Sequence, residues 1–422
     1  MSGSPRDYRL RCCGCGALFD DDGVRLDCAH PHPPALLRSE YAQTRYAPDG
    51  AASVARYRSW LPLGRPIATD AATAVYRSER LGAHLGLRNL WIAFNGWWPE
   101  RGATLRTATF KELEAIAVFG RLAPDEGRTL VVASAGNTAA AFAEIATASA
   151  LPIVIVIPLE AWEPLASLVH VGPSVRIVAV EDGTYDDAIA LAKRLAALDG
   201  YVAEGGVRNV ARRDGMGTIV LAAVDAIGAL PDVYVQAVGS AAGALAAHEA
   251  ALRLIADGNF GSRVPRLLLS QNAPFTPIHD AWSRRAATLG EHSAADVRER
   301  QSRIGATVLG NPAPPYSAPG GIREALAEAG GRTYAVTNDE MARSMLQFAE
   351  LEGIDVEPAA GVAIAALAQA VRDGNVGRDE TILLNVTGGG RARRPVVTAR
   401  QRPPLVVDRA EIAATEGLAE RV

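Results

Sequence analysis

From about Thr129 onward the chain alternates short apolar runs with longer helical stretches, and this alternation limits its fold more than any other feature. Leu130-Val-Val-Ala133, Ile153-Val-Ile-Val-Ile157, Val175–Val180, Val233–Val238, Arg266–Ser270 and Ile382–Val386 read as strands. An alanine-rich helix follows the first of them, and further helices are predicted over Tyr185 to about Ala197, over Met216–Ile227 and from Gly243 through His248. A run that is apolar throughout is buried on both faces. The pattern therefore predicts parallel sheets covered by helices on both sides. A helix is also expected at Ala72–Leu85, and another begins at Lys111. With 422 residues the chain exceeds one ordinary core and suggests two or three domains.

Sheets of this kind bind their ligands beyond the carboxyl ends of the strands. Three strands here end in small, polar loops. Gly239-Ser240-Ala241-Ala242-Gly243 lets backbone N–H groups approach an anion at a helix N-terminus. It lacks the Gly-Lys-Ser/Thr of a P-loop and fails the Gly-x-Gly-x-x-Gly dinucleotide pattern, so a plain strand-to-helix turn is its alternative. Ser134-Ala135-Gly136-Asn137-Thr138 offers hydroxyls, N–H donors and one side-chain amide, though Thr138 could serve only as a helix cap. Thr387-Gly388-Gly389-Gly390 opens on a hydroxyl that can donate to a ring nitrogen, and its glycines permit close backbone approach.

Lysine is nearly absent. Lys111 and Lys193 stand against 41 arginines. Arginine cannot give up its proton, so a surviving lysine is a candidate for amine chemistry such as Schiff-base formation. Lys193 lies on the polar side of an amphipathic helix, whereas Lys111 stands at a helix start in Thr109-Phe110-Lys111-Glu112. A reactive lysine, a phosphate cradle (Gly239–Gly243), an amide for a phenolic oxygen (Asn137) and a hydroxyl for a pyridine nitrogen (Thr387) together describe a site for pyridoxal 5′-phosphate.

Those residues resemble the fold-type II pyridoxal-phosphate enzymes, the superfamily of the tryptophan synthase β-subunit and threonine synthase. Thr109-Phe-Lys111-Glu is similar to the Ser-x-Lys-Asp/Glu segment of that superfamily, Ser134-Ala-Gly-Asn137-Thr to its asparagine loop, and Thr387-Gly-Gly-Gly to the threonine synthase Thr-Gly-x-Gly. Within it the chain resembles the cysteate synthase family, in Phe94-Asn-Gly-Trp-Trp-Pro-Glu-Arg-Gly102, Asn209-Val-Ala-Arg-Arg-Asp-Gly-Met-Gly217, Ser270-Gln-Asn-Ala-Pro-Phe275 and Asn385-Val-Thr-Gly-Gly-Gly390. Ala241 and Ala242 depart from the Gly/Thr-richer phosphate loop usual in the superfamily. The resemblance implies two open, twisted parallel-sheet lobes and a small N-terminal ribbon-like segment. Expected boundaries are 1–40 for the segment, 110–203 for a small domain, and 41–109 with 204–422 for a large cofactor-binding domain. It also implies β-replacement on O-phospho-L-serine by sulfite, giving L-cysteate and phosphate, with the substrate carboxylate on Ser134, Ala135, Gly136 and Thr138, and a homo-oligomer, since relatives usually dimerise. Threonine synthase acting on O-phosphohomoserine, another nucleophile such as thiosulfate, sulfide or an amine, and a non-catalytic amino-acid sensor on the same fold are the alternatives. Substrate anions need cations; Arg101, Arg106, Arg208, Arg212 and Arg213 are candidates, whereas Arg391, Arg393, Arg394, Arg400 and Arg402 read as a solvated C-terminal segment.

All four cysteines lie early, at Cys12, Cys13, Cys15 and Cys28, with His30 and His32 just beyond. A zinc ribbon would use Cys12, Cys15, Cys28 and one of the two histidines. The second half reads Cys-Ala-His-Pro-His rather than Cys-x-x-Cys, so the expectation is a ribbon that keeps its turns and holds no metal. His248 reads as a packed surface residue, and no Gly-x-Ser-x-Gly elbow supports a serine hydrolase. A net charge of −4 gives no reason to expect a nucleic-acid partner. The absence of an 18-residue apolar run and of a signal-peptide core suggests neither a membrane partner nor export, and a cytoplasmic location.

Overall fold

The computed structural model describes residues 6–66, 68–122, 127–398, 401–413 and 421. Two open sheets organise it. The smaller runs, in spatial order, Tyr201–Ala203, Thr129–Ala133, Ile153–Pro158, Val175–Glu181 and Leu405–Asp408, with every pairing parallel. The larger runs Arg332–Val336, Arg266–Asn272, Val233–Ala237, Thr381–Val386, Asn89–Phe94 and Ala74–Arg77; only its last pairing is antiparallel. The Ile153–Pro158 strand is buried along its whole length, as a run whose first five residues are all β-branched should be between two helical layers. The expected α/β architecture of two parallel-sheet lobes is present.

Three expectations are corrected. The span Ala72–Leu85 is not one helix. Ala74–Arg77, which carries Val75 and Tyr76, pairs as an edge strand, and only Arg80–Leu85 is helical, stopped by Gly86 in the left-handed region. The large sheet also contains two strands not among those predicted: Asn89–Phe94, whose Leu90–Phe94 is an unbroken apolar run, and Arg332–Val336, which opens on Arg332 and Thr333. Finally, 204–422 does not lie wholly with the large sheet. Leu405–Asp408 pairs with Val175–Glu181 and closes the edge of the small one, burying Val407.

The N-terminal segment is a three-stranded antiparallel sheet, ordered Leu18–Asp20, Tyr8–Cys12, Leu37–Tyr41. It docks through a small apolar face, where Tyr8, Leu10 and Leu37 cluster with Val210, and through buried polar contacts. The Ser39 and Tyr41 hydroxyls donate to Asp214 at 2.6 and 2.7 Å. Asp21 receives Nε and Nη2 of Arg121 at 2.9 and 2.7 Å, and Arg121 also donates to the Asn209 side chain and the Arg25 carbonyl. Arg121 ends the helix Lys111–Arg121, so the N-terminal sheet holds the far end of the element that begins with the lysine.

Both side chains of this pair are fully buried. Burial alone would push the Asp21 carboxyl upward, but its hydrogen bonds to Arg121 outweigh that and hold it below its ordinary value. A depressed carboxylate contributes stability that is present above its unfolded pKa and lost as pH falls. Asp21→Ala leaves a buried guanidinium without its counter-charge. It should cost about 3–5 kcal/mol in chemical denaturation at neutral pH, with part of the loss recovered when Arg121→Met is added. The variant should also lose less stability on acidification than the parent.

Candidate active site

Lys111 is the first residue of its helix, and Phe110 before it has no side-chain cap to offer. The backbone ahead of it is tied to the third loop. Phe110 N–H donates to the Thr387 carbonyl and Gly389 N–H donates to the Ala108 carbonyl, both at 3.0 Å, with Thr109 bridging to Gly388. Ala108 itself sits at φ 58°, in the left-handed region unfavourable to alanine. On the other side, the Phe110 ring packs against Met216, Ala242 and Ala246, at the start of the helix that follows the Gly239–Gly243 loop. A Cβ added at Gly243 would stand 2.9 Å from Phe110 Cε2 and 2.6 Å from Gln236 Nε2, so only glycine fits there. The lysine segment is thus wedged between the Thr387 and Gly239 loops.

The lysine amine meets a buried charge network. Lys111 Nζ lies 3.1 Å from Glu114 Oε2, one helical turn onward. Glu114 Oε1 takes Arg212 Nη1 at 3.0 Å and the Thr138 hydroxyl at 3.2 Å. Arg212 also forks onto Glu204, at 2.8 and 2.6 Å. Burial lowers the Lys111 pKa, Glu114 raises it and Arg212 lowers it again, with the balance below the ordinary value. A lysine with a depressed pKa in a pocket is what nucleophilic amine chemistry uses.

The asparagine loop faces a second polar group. Asn137 accepts Arg391 Nη2 at 2.6 Å and its amide reaches Glu357 Oε2 at 3.4 Å, while Arg391 and Glu357 form an ion pair. Glu357 N–H in turn donates to the Gly388 carbonyl at 3.0 Å, returning to the third loop. The structure therefore joins Lys111, Thr138, Asn137 and Thr387 through a few shared partners. Ser134 and Thr387 are buried, Ala135 is exposed, and Gly136, Asn137, Thr138 and Ser240 are half-buried.

Known proteins are similar to this chain over most of its length. The family model described as "Pyridoxal-phosphate dependent enzyme" matches residues 69–388. The cysteate synthase of Methanoculleus marisnigri is 46% identical over 387 residues, 92% of this chain and 89% of its own. That of Methanosarcina barkeri is 42% identical over 418 residues, 96% of this chain and all of its own. The chain belongs to the pyridoxal-phosphate-dependent enzymes, in the cysteate synthase family. Solved structures share the fold at low identity. Tomato threonine deaminase isoform 2 gives a TM-score of 0.58 at 16% identity, covering 82% of this chain and 92% of its own. Maize serine racemase gives 0.57 at 16%, covering 75% and 88%.

The residues present fit the cofactor of this pyridoxal-phosphate family. The helix Ala242–Asp257 starts without a side-chain cap, on Ala241 in the left-handed region at φ 60°, and its first residues are buried. Buried, uncapped N–H groups at a helix start call for an anion such as a phosphate. Thr109 Oγ1, two residues before the lysine, is buried with no protein partner, which also calls for a polar ligand atom.

Of the arginines named from the sequence, only Arg212 reaches the lysine. Arg101 lies over the Tyr76 and Trp98 rings, Arg106 pairs with Asp70, Arg208 with Asp27 and Arg213 with Glu249. Arg391 is not part of a solvated tail; it enters the site. His248 is buried rather than superficial, 3.0 Å from Glu328. Sequence reading missed Glu114, Glu204, Glu357 and Arg391. Glu114 alone had a usable signal, its i,i+3 spacing from Lys111.

Glu114→Gln tests the charge network. Glu114 raises the lysine pKa, so its removal should lower it further and enlarge the neutral fraction of the amine at any pH below that pKa. The pH profile of cofactor uptake by the apoprotein, followed by absorbance, should shift toward lower pH.

Proposed function

We propose that this enzyme replaces the β-substituent of O-phospho-L-serine with sulfite, giving L-cysteate and phosphate. The observation that supports it most is the near-complete coverage of cysteate synthases by this chain, including its N-terminal sheet. The lysine environment supports the same class of chemistry.

In this reading Lys111 holds the cofactor through its amine, the Gly239–Gly243 loop its phosphate, Asn137 its ring hydroxyl and Thr387 its ring nitrogen. The Ser134–Thr138 loop takes the substrate carboxylate. The bound cofactor supplies the sink for the electron pair left when the Cα proton departs. Lys111 would take that proton at Nζ and later return it. Glu114 keeps the amine within reach in both protonation states. Thr387 would meet the ring nitrogen with a hydroxyl rather than a carboxylate, a partner better suited to loss of the β-substituent than to transamination. Arg391, held against Asn137 and about one-third exposed, provides the cation nearest the asparagine loop for an anionic substrate.

The cofactor-loaded protein, given O-phospho-L-serine and sulfite, should release phosphate and form cysteate detectable by mass spectrometry. Omission of sulfite should abolish cysteate. Lys111→Ala should lower turnover by at least about a thousandfold. Conversion of O-phosphohomoserine to threonine, with no reaction of phosphoserine, would assign the chain to threonine synthase instead. Arg391→Ala should raise KM for phosphoserine by roughly ten- to a hundredfold, the worth of one charge-assisted hydrogen bond, with a smaller change in kcat.

A further inference from the structure

We propose that the N-terminal sheet carries a structural zinc ion bound by Cys12, Cys15, Cys28 and His32. The ligand atoms of these four residues all lie within 4.8 Å of one another. Cys15 Sγ is 3.7 Å from Cys28 Sγ, and Cys12 Sγ is 3.3 Å from His32 Nε2. A zinc tetrahedron with Zn–S near ~2.3 Å and Zn–N near ~2.0 Å separates sulfur vertices by roughly 3.8 Å and sulfur from nitrogen by roughly 3.5 Å. The observed edges match both values. A disulfide needs its sulfurs about 2.05 Å apart, and all four cysteines are free thiols.

The surroundings are those of a closed metal site. Cys12-Cys13-Gly14-Cys15 forms a knuckle: Cys12 N–H bonds the Ala17 carbonyl and Gly16 N–H returns to the Cys12 carbonyl, both at 2.9 Å. Gly14 N–H donates to Cys12 Sγ and His30 N–H to Cys28 Sγ, each at 3.4 Å, so backbone donors hold two of the sulfurs in place. A Cβ at Gly14 would stand 3.1 Å from His32 Cε1 and 2.9 Å from the Ala35 methyl, so glycine leaves the room the imidazole takes.

His32 is also the better of the two histidines. Its Nδ1 lies 2.6 Å from the Pro33 carbonyl, which can only accept, so Nδ1 carries the proton and Nε2 turns its lone pair toward the sulfurs. His30 reaches only one sulfur, its Nδ1 3.8 Å from Cys15 Sγ, sets its ring edge-on to Phe19 and falls outside the four-atom cluster. Three thiolates and one imidazole are a soft, closed donor set with no open position, which suits structural zinc rather than a catalytic or oxygen-ligated metal.

Three of the four ligands come from loops or strand ends with little apolar burial of their own, so the ion would tie together a module too small to close a core. That module grips Arg121, at the end of the lysine helix.

The holoenzyme, purified under reducing conditions without chelating resin, should contain close to one zinc per chain by elemental mass spectrometry. Cys15→Ser and His32→Ala should each lower that content at least tenfold, while Cys13→Ser and His30→Ala should leave it unchanged. In the unmodified protein, a zinc-binding dye should release the metal as three thiols become reactive to a thiol reagent, a readout that needs no variant to fold. Fewer than about one zinc per ten chains after supplementation with zinc, or a Cys15–Cys28 disulfide in peptide mapping of metal-free protein, would overturn the assignment. Loss of zinc from His30→Ala in place of His32→Ala would overturn the ligand set.

Discussion

The site is organised around one fully buried carboxylate. Glu114 has no access to solvent, yet it receives the lysine, Arg212 and the Thr138 hydroxyl. Each partner comes from a different helix: Lys111–Arg121, Val210–Ile227 and Asn137–Ser149. A carboxylate at that depth without partners would be strongly destabilising. Satisfying it therefore fixes where three helices begin relative to one another. The same contacts set the proton affinity of the lysine, because burial and Arg212 lower it while Glu114 restrains the fall. Packing and chemistry are thus determined by one interaction.

The large sheet supplies the floor beneath it. Asn385 donates to the Tyr234 hydroxyl at 2.7 Å and to Gln236 at 3.0 Å, and accepts from Asn95 at 2.8 Å. All four side chains are buried. Gln236 then meets the backbone of Gly243, and Gly243 meets Phe110. A satisfied polar network of this kind leaves few alternative arrangements, since any shift would orphan several groups at once. It holds two alanines in left-handed conformations, Ala108 before the lysine and Ala241 before the phosphate-loop helix. Strain of that sort persists only where the neighbouring structure over-determines the backbone.

How much of this could be read from the residues depended on the range of the signal. Ile153–Ile157 announces a doubly buried strand by composition alone, and the small loops after strands announce backbone approach. Leu90–Phe94 carries the same continuous apolar signal, but its parallel partner Thr381–Val386 lies far along the chain, so its place in the large sheet is a tertiary fact. Leu405–Asp408 is the clearest case. Its polar neighbours suggest a tail, and only the open edge at Val175–Glu181 makes it a strand. For the site, Lys111 stood out because lysine is otherwise so scarce; Lys193 is exposed on a capped helix, as its amphipathic setting required. Arg391 could not be told from other arginines, because its meaning lies in Asn137 and Glu357, both distant in sequence.

The charges around the lysine also explain why the arginine-rich composition says little about anion binding. Arg212 is almost fully buried and committed to Glu114 and Glu204, so with Lys111 these groups cancel. Arg391 is balanced by Glu357, whose carboxyl burial pushes up despite its partner. A cleft neutral by pairs attracts anions mainly through oriented dipoles. The helices at Asn137 and Ala242 start without side-chain caps, so their first N–H groups can serve, whereas at Lys111 the Glu112 and Leu113 N–H groups already donate to the Thr109 and Phe110 carbonyls. Such donors need no counter-charge and do not titrate, so they can bind a phosphate without altering the proton balance on which the lysine depends.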